Sequence, residues 1–508
     1  MTHIARSTLI LTIFFAIDKV FAFLRQIIIA RQFGLSPELD AFNAANNVPD
    51  LLFAMISGGA LAIALIPVLS EYLQKGGQPA FWDLFSRIAN LSFLATAGLA
   101  LLFAVFAGFL VRWEFGIAPG FTADQQNLAV NLMRLNFIAT LIFSLSGLVM
   151  AGLQANQHFL LPAMAPALYN LGQIFGALVL APKGPHHFGP VPLPGFGFGI
   201  QGLVYGVILG AVLHLSIQIP GLFRYKFRWT PAIGIHNRGV IQVLNLMGPR
   251  LLTMLFIQLI FIARDNFASR LEAGAVTALT YGWFIMQVPE TLIGTAIATA
   301  LLPSISEQLV RGERDAFRQT VQRALKSILA LTIPAAALIS IAIRPLVQIA
   351  FDFDAAGTDL VVWCTRAFLL GLMGEAIFEV AARSFYAQQN ARTPVVTSAL
   401  RFFTFIVSSV ILIRPFGPAG IGLAYALAIT VESLVLLSLL NRRFPGILRL
   451  GGTLPRVVAG AAGGVLVVYL LMNFLPLPLL PLTVGALAVG ALAILPFAWP
   501  EVKSLVKL

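Results

Sequence analysis

The sequence is poor in cysteine and in charge. Its 508 residues include a single cysteine, Cys364, which excludes an intrachain disulfide framework and a CxxC metal pair. Charged residues make up 11% of the chain, whereas a soluble domain carries about 25%. The sequence has no Walker A motif and no HExxH motif, so we expect no ATP hydrolysis and no enzymatic activity.

Apolar residues are abundant instead, at 58% of the chain, and they form long continuous runs. A run of about 18 or more residues spans a membrane as a helix, and the alternating pattern of a β-barrel is missing. The segment 6–23 continues through Arg25 without a clear cleavage site, which favours a first spanning helix over a signal peptide. We predict an all-α polytopic membrane protein with about fourteen transmembrane helices, at 6–31, 39–70, 82–111, 125–152, 160–181, 199–219, 239–267, 276–308, 320–350, 359–386, 394–414, 419–440, 455–474 and 480–499.

Basic residues are concentrated in alternate loops of this topology. The segment 311–326 carries many of them, whereas the loops on the opposite side hold little beyond Lys183 and Arg270. Because positively charged loops stay in the cytoplasm, we expect a multi-pass membrane protein with both termini cytoplasmic. The same rule accounts for most of the net charge of +12, which therefore does not indicate nucleic-acid binding.

An internal repeat is visible in two pairs of strings. VPDLL at 48–52 is followed by ALIPVLSE at 64–71, and VPETL at 288–292 is followed by ALLPSISE at 300–307. IIIAR precedes the first pair and IFIAR precedes the second. The prolines of these strings lie inside the second and eighth predicted spans, so we expect helix kinks there.

The repeat predicts how the chain is organised. Six predicted spans separate the two copies, an even number, so the halves share one orientation. Two parallel six-helix bundles with a substrate site between them are a transporter architecture. We place the bundles at 1–222 and 223–443, followed by an additional two-helix segment at 444–508.

Two loops on the predicted outer side contain polar clusters. The segment 182–198 is rich in Pro and Gly, so we expect no regular structure there, and we interpret its adjacent His186 and His187 as a solvated pair. The segment 351–359 contains three aspartates without the spacing of an EF-hand. We therefore predict no metal site.

Four segments match a known family in order along the chain. FLRQIIIARQFGLSPELDAFNAANNVPDLL at 23–52 looks like its first two helices, and NQHFLLPAMAPALYN at 156–170 looks like its fourth-to-fifth connection. ARDNFASRLEAGAVTALTYG at 263–282 is similar to its seventh-to-eighth region, and SFYAQQNARTPV at 384–395 to its tenth-to-eleventh connection. On these residues the chain resembles a divergent member of the MviN/MurJ family, bacterial flippases within the multidrug/oligosaccharidyl-lipid/polysaccharide exporter superfamily.

The resemblance implies a function in peptidoglycan biosynthesis, and so in cell-wall biogenesis and cell shape. Such a flippase moves lipid II, an undecaprenyl-diphosphate-linked precursor, from the cytoplasmic to the outer leaflet by alternating access. The resemblance implies a monomer without a cofactor, driven by a coupling monovalent cation or by the membrane potential. In its central cavity it implies substrate-binding roles for Lys19, Arg25 and Asp40, and arginine in particular grips a diphosphate with two parallel hydrogen bonds.

Two arginines of the family pattern are missing from this sequence. One falls at Phe53 or Ala54 on the second span, and the other falls near Phe284 on the eighth. Arg264 and Asp265 of the seventh span are candidates to replace them in substrate binding. The alternatives are a local structural pair or, for Arg264, a side chain that reaches the membrane interface.

Charged residues inside predicted spans are candidates for a transport pathway, because burying charge in a bilayer is costly. Glu375, Glu379 and Arg383 follow one another at intervals of four on a single helix face. They form either an ion-pair ladder or an ion-coupling site, and Glu432 of the twelfth span is a further candidate for it. The full set is Lys19, Arg25, Asp40, Asp50, Arg250, Arg264, Asp265, Glu290, Glu375, Glu379, Arg383, Arg401 and Glu432.

Other functions remain open at this point. A flippase for another polyprenyl-diphosphate-linked oligosaccharide would share the cationic cavity. A small-molecule cation exporter of the same superfamily would need an acidic cavity instead. A membrane enzyme acting on polyprenyl lipids would need a carboxylate motif such as DDxxD, which the sequence does not contain. A scaffold without transport is disfavoured by the charge within the spans.

Overall fold

The computed structural model describes the backbone of residues 3–57 and 59–505, and the side chains of residues 13–55, 64–248 and 251–503. The chain divides into two compact units, Met1–Ala273 and Gly274–Leu508. Both units are helical, and the two short strands of the described residues pair in one hairpin.

The described part of the first unit contains ten α-helices, two π-helical turns and two short strands. The elements are α1 (His3–Phe33), α2 (Pro37–Ala45), α3 (Asn47–Leu52), the π-helical turn π1 (Phe53–Ser57), α4 (Gly59–Val105), α5 (Ala107–Arg112), α6 (Ala123–Ala155), α7 (Leu160–Phe175), the π-helical turn π2 (Gly176–Leu180), β1 (His186–Phe188), β2 (Val191–Leu193), α8 (Ile200–Ser216), α9 (Ile219–Arg224) and α10 (Arg238–Ala268).

The second unit is helical throughout its described length. Its elements are α11 (Ala275–Glu290), the π-helical turn π3 (Thr291–Thr295), α12 (Ala296–Val310), α13 (Arg314–Phe351), α14 (Ala355–Leu369), α15 (Leu372–Ala387), α16 (Arg392–Phe416), α17 (Pro418–Arg443), α18 (Thr453–Phe474) and α19 (Leu479–Leu505).

Twelve helical stretches of the described chain are long and apolar enough to cross a membrane. One of them, Ala64–Val105, covers the end of the second predicted span and the third, which meet at the positive φ of 65° at Gly77. The first predicted span corresponds to α1, which is not one of the twelve stretches. The twelve stretches are therefore consistent with about fourteen transmembrane helices, and the all-α polytopic fold is confirmed.

Each copy of the VP motif is followed by a wide helical turn. The turn π1 comes directly after the VPDLL string, and π3 begins at the residue after Glu290. A proline removes one amide donor and crowds the preceding turn, so the helix departs from regular hydrogen bonding close to it. The expected kinks thus take the form of π-helical turns at both repeat copies.

Glycines bring α7 and α8 into direct backbone contact. A Cβ atom at Gly206 would lie 2.8 Å from the Cα of Gly176 and 3.0 Å from the carbonyl oxygen of Gly172. Small residues of this kind allow membrane helices to approach closely. Gly460 of α18 has a similar role, because it faces the ring of Phe497 of α19 within the same unit.

The loop 182–198, predicted to lie on the outer side, contains regular structure, so the prediction that it has none is wrong. His186 pairs with Leu193 and Phe188 with Val191, across a connection in which Gly189 adopts a positive φ of 59°. The segment after the hairpin bonds to the end of π2, with the amide of Phe196 donating to the carbonyl of Val179 at 3.1 Å. Carbonyls left over at the end of the helix provide the acceptors that order this loop.

The two compact units and the predicted bundles have different boundaries. Helix α10 packs against α4 and α3 and belongs to the first unit, whereas the repeat assigns it to the second bundle. Helices α18 and α19 pack on α13, where Leu338 meets Val468 and Ile494. The bundle limits at 222 and 443 are drawn from the repeat and stay predictions.

Candidate functional site

Arg25 lies at the centre of a hydrogen-bond network in the first unit. Its Nη1 donates to Oδ1 of Asn170 on α7 at 2.9 Å, and Nδ2 of Asn170 donates to Oδ1 of Asp18 at 2.8 Å. Asn170 is buried, and its Nδ2 is also 3.3 Å from the carbonyl oxygen of Pro166 one turn earlier. Asn170 therefore fixes the orientation of the Arg25 guanidinium and of the Asp18 carboxylate at the same time.

The other two predicted cavity residues of this region lie in different surroundings. Lys19 is exposed, and its Nζ lies 5.0 Å from the centre of the Phe15 ring, in cation–π range. Asp40 is buried on α2, which packs against α6. Helix α2 starts after Ser36, whose hydroxyl oxygen accepts the amide of Leu39 at 3.2 Å.

Arg264 and Asp265 form a buried ion pair. Nε of Arg264 is 2.7 Å from Oδ1 of Asp265, and the guanidinium lies 5.3 Å from the centre of the Phe261 ring. Nδ2 of Asn47 on α3 donates to the other oxygen of Asp265 at 2.7 Å. Asp265 thus connects Arg264 on α10 to Asn47 on α3. The candidate substrate-binding role of these two residues stays a prediction.

In the second unit, Arg383 and Glu379 form the ion pair that their spacing predicts. Arg383 also donates through Nη2 to the hydroxyl of Thr299 at 3.3 Å. The third member of the predicted ladder, Glu375, has a partner on another helix. Its Oε2 is 3.1 Å from Nη2 of Arg401 on α16.

Arg401 connects Glu375 to Glu432. Its Nη1 lies 3.6 Å from Oε2 of Glu432, and its Nη2 donates to the hydroxyl of Tyr425 at 2.5 Å. Tyr425 in turn donates to Glu375 at 3.1 Å. Arg401 is 3% exposed and Glu432 is fully buried, so this cluster is closed off from solvent on most sides. We call Glu375, Arg401, Tyr425 and Glu432 the α16 cluster.

The α16 cluster carries a formal charge of −1, from two carboxylates and one guanidinium. Hydroxyl groups bind one oxygen of Glu432, since Ser398 and Thr397 donate to its Oε1 at 2.9 and 3.2 Å. Buried charges are tolerated when they are paired and hydrogen-bonded in this way. The structure thus brings the predicted Glu375 and Glu432 together, through an arginine that the sequence did not connect to them.

Several residues of these networks escaped sequence reasoning. Asp18 is seven residues before Arg25 on α1, and Tyr425 is seven before Glu432 on α17, so both lie on the same helix face as a predicted residue. That spacing was the available signal. Asn170 is neutral, and the sequence contained no signal that pointed to it. The side chain of Arg250 lies outside the described residues.

Two aspartates of the loop 351–359 have structural partners. Asp354 accepts the amide of Gly357 at 2.9 Å as the N-cap of α14, and Asp359 pairs with Arg344. Among the residues with described side chains, no group of three or more His, Cys, Asp or Glu residues is arranged to hold a metal ion.

Apolar spanning helices with ion pairs enclosed among them define a multi-pass helical membrane protein, and solved structures of transporters share this fold. A structure described as lipid II flippase MurJ in an inward closed conformation has a TM-score of 0.80 and 22% identity, covering 98% of this chain and 100% of that chain. An inward-facing multidrug resistance MATE family transporter of the MOP superfamily has a TM-score of 0.71 and 14% identity, covering 85% of this chain and 96% of that chain.

Sequence comparison identifies the family. A family model described as lipid II flippase MurJ matches residues 29–497. The lipid II flippase MurJ of Burkholderia cenocepacia is 30% identical over 483 residues, which are 93% of this chain and 90% of that protein. A probable lipid II flippase MurJ of Vibrio cholerae is 25% identical over 438 residues, which are 84% of this chain and 81% of that protein. The chain belongs to the MurJ family.

Membership confirms the resemblance seen in the sequence. MurJ is a family of transporters rather than enzymes, and its members act in the bacterial inner membrane. The chain is accordingly a multi-pass protein of that membrane.

Proposed function

We propose that this chain is a flippase that carries lipid II from the cytoplasmic to the outer leaflet by alternating access. The observation that carries the proposal is the family match over residues 29–497, together with a curated lipid II flippase that is 30% identical over nearly the whole chain. The substrate is an undecaprenyl-diphosphate lipid, and the protein works as a monomer with both termini in the cytoplasm.

The Arg25 network supplies chemistry suited to the diphosphate. A guanidinium binds phosphate oxygens through parallel hydrogen bonds, and these are strong where water is scarce. Asn170 holds the Arg25 guanidinium from one side at 2.9 Å, which reduces the rotamer freedom lost when substrate binds. Lys19, one helical turn and a half before Arg25, adds a second positive charge on α1.

The α16 cluster supports a coupling role in the second unit. Its formal charge of −1 is suited to a monovalent cation, and its members lie on α15, α16 and α17, so a change of charge would act on three helices. The membrane potential is the other candidate driving force. An anion that leaves an inside-negative cell gains about 2.3 kcal/mol per net charge for each 100 mV.

The decisive experiment replaces Arg25 in cells that depend on this protein. Arg25→Ala should abolish lipid II transport while the protein still accumulates in the membrane, and Arg25→Lys should keep only part of the activity because it loses the planar fork. The measurement is the amount of lipid II in each leaflet after depletion of the native copy.

Arg112 offers a matched control for this experiment. It also donates to an asparagine, Asn127, at 2.6 Å, but both side chains lie in an exposed region. Arg112→Ala should leave transport unchanged. Full transport by Arg25→Ala would remove Arg25 from the substrate site, and loss of the protein itself would assign Arg25 a structural role.

A further inference from the structure

A cavity of about 680 Å³ lies at the end of α1, beneath the hairpin of β1 and β2. Leu24, Ile27, Ile28 and Arg31 line one side of it, and their spacing of three and four residues places them on one face of α1. The opposite side is formed by Leu178 of π2, Pro182, and the hairpin residues His186, His187, Phe188 and Gly189.

The lining of this cavity is amphipathic. Aliphatic side chains of α1 and π2 form its apolar part, and the polar groups gather at the end of α1. These polar groups are the Arg31 guanidinium, the Gln32 amide and the imidazoles of His186 and His187. None of its lining residues, all of which have described side chains, is acidic. An arginine beside further hydrogen-bonding side chains favours a phosphate oxygen as ligand.

The cavity wall is held in place by the backbone. The amides of Phe196, Phe198 and Gly199 donate to carbonyls at the end of π2, at 2.9 to 3.1 Å. Gly195 approaches the carbonyl of Pro182 so closely that a Cβ there would lie 2.7 Å from its oxygen. The hairpin is therefore anchored at its base, and a preformed cavity loses less entropy on binding than a loose loop would.

The geometry points to a binding site for an anionic glycerophospholipid, with its phosphodiester on Arg31 and its first acyl carbons along Leu24, Ile27, Ile28 and Leu178. Arg31 is the one formal cation among the lining residues, and a phosphodiester carries one negative charge, whereas a diphosphate carries more. The apolar part excludes free phosphate as the best-fitting ligand, because it would leave that surface uncovered. This site does not depend on the proposed transport function.

The test measures binding of a soluble short-chain lipid to the purified full chain in detergent. Dihexanoylphosphatidylglycerol should bind saturably, and Arg31→Ala should weaken this binding by about tenfold or more, since a charge-assisted contact is lost. Lys183 lies on the same loop, is exposed and does not line the cavity, so Lys183→Ala should bind as the wild type does.

A second pair of variants covers the case in which Arg31→Ala does not fold. His187→Glu places a carboxylate in the lining and should also weaken binding, whereas Lys183→Glu should do so far less. Equal binding of dihexanoylphosphatidylcholine would overturn the proposal, as would equal effects of the lining and control variants. Tighter binding of inorganic pyrophosphate than of the lipid would identify a diphosphate site instead, and tighter binding of inorganic phosphate would identify a simple anion site.

Discussion

Neutral polar side chains accompany the buried charges of three networks in this protein. Asn170 stands between Arg25 and Asp18, Asn47 binds Asp265, and Tyr425 bridges the ions of the α16 cluster. An amide or hydroxyl satisfies the hydrogen bonds of a charge without cancelling it. Each of these neutral groups therefore adds a hydrogen bond to a network whose charge remains.

The α16 cluster should depend on Arg401 for its stability. Arg401→Gln would leave Glu375 and Glu432 facing each other without their cation, and we expect a loss of about 3–5 kcal/mol, as for other buried pairs with one partner removed. Adding Glu432→Gln should recover most of this loss, because Ser398 and Thr397 can bond to the new amide. Thermal unfolding of the purified variants in detergent measures both effects.

Arg414→Gln is the control for this series, since Arg414 lies on the same helix and is exposed. An Arg401→Gln protein as stable as Arg414→Gln would contradict the prediction. The double variant also tests coupling. If it is stable and still transports lipid II at the wild-type rate, the α16 cluster is structural.

The Arg264–Asp265 pair should behave in the same way. Arg264→Gln leaves a fully buried Asp265 with Asn47 as its remaining known donor partner, so we expect the unfolding midpoint to fall. Arg264→Gln combined with Asp265→Asn should restore it. Transport by the stable double variant then separates the two roles, because activity supports a structural pair and inactivity supports substrate binding.

Arg270→Gln is the matched control for that pair. Arg270 forms an ion pair with Glu114 at 2.8 Å, but both side chains are exposed, and such pairs contribute about 0–1 kcal/mol. A fall in midpoint for Arg270→Gln as large as that for Arg264→Gln would mean that burial does not set the cost.

At the scale of elements, the contact between α7 and α8 should tolerate no added methyl group. Gly206→Ala would press a Cβ onto the backbone of Gly176 and Gly172, which cannot move aside as a side chain can. We expect a loss of about 1–3 kcal/mol, typical of overpacking. Gly98→Ala on α4 is the control, because nothing lies within 4 Å of its added Cβ. Equal unfolding midpoints for the two variants would contradict the close packing.

The spanning helices were predictable because hydropathy acts over about twenty residues at a time. The hairpin at β1 and β2 was not, because its order comes from carbonyls at the end of π2, far from any local strand signal. The same distinction holds in the site. Arg25 and Glu432 attract notice because charge in a membrane is costly, whereas Asn170 and Tyr425 acquire their roles through contacts between helices.

At the scale of the whole molecule, the orientation in the membrane can be tested directly. In a Cys364→Ala background, His187→Cys on the hairpin should react with an impermeant maleimide in intact cells. Glu313→Cys, between α12 and α13, should react only after the membrane is permeabilised. Both native side chains are exposed, so access depends on the side of the membrane. Labelling of Glu313→Cys alone in intact cells would reverse the proposed orientation.

The π-helical turns after the two VP motifs give each unit a point at which its helix can hinge. A turn of this type carries one residue more than an α-helical turn, and if that residue migrates along the helix, the side chains it passes swing by about 100°. A hydrogen bond restrains π3, since the hydroxyl of Thr295 donates across the turn to the buried Glu290 at 3.0 Å. In π1 the repeat-related Asp50 is exposed. The two repeat copies thus share a π-helical turn but differ in its side-chain contacts. In the second copy the carboxylate bonds across the turn, whereas in the first the equivalent carboxylate is exposed.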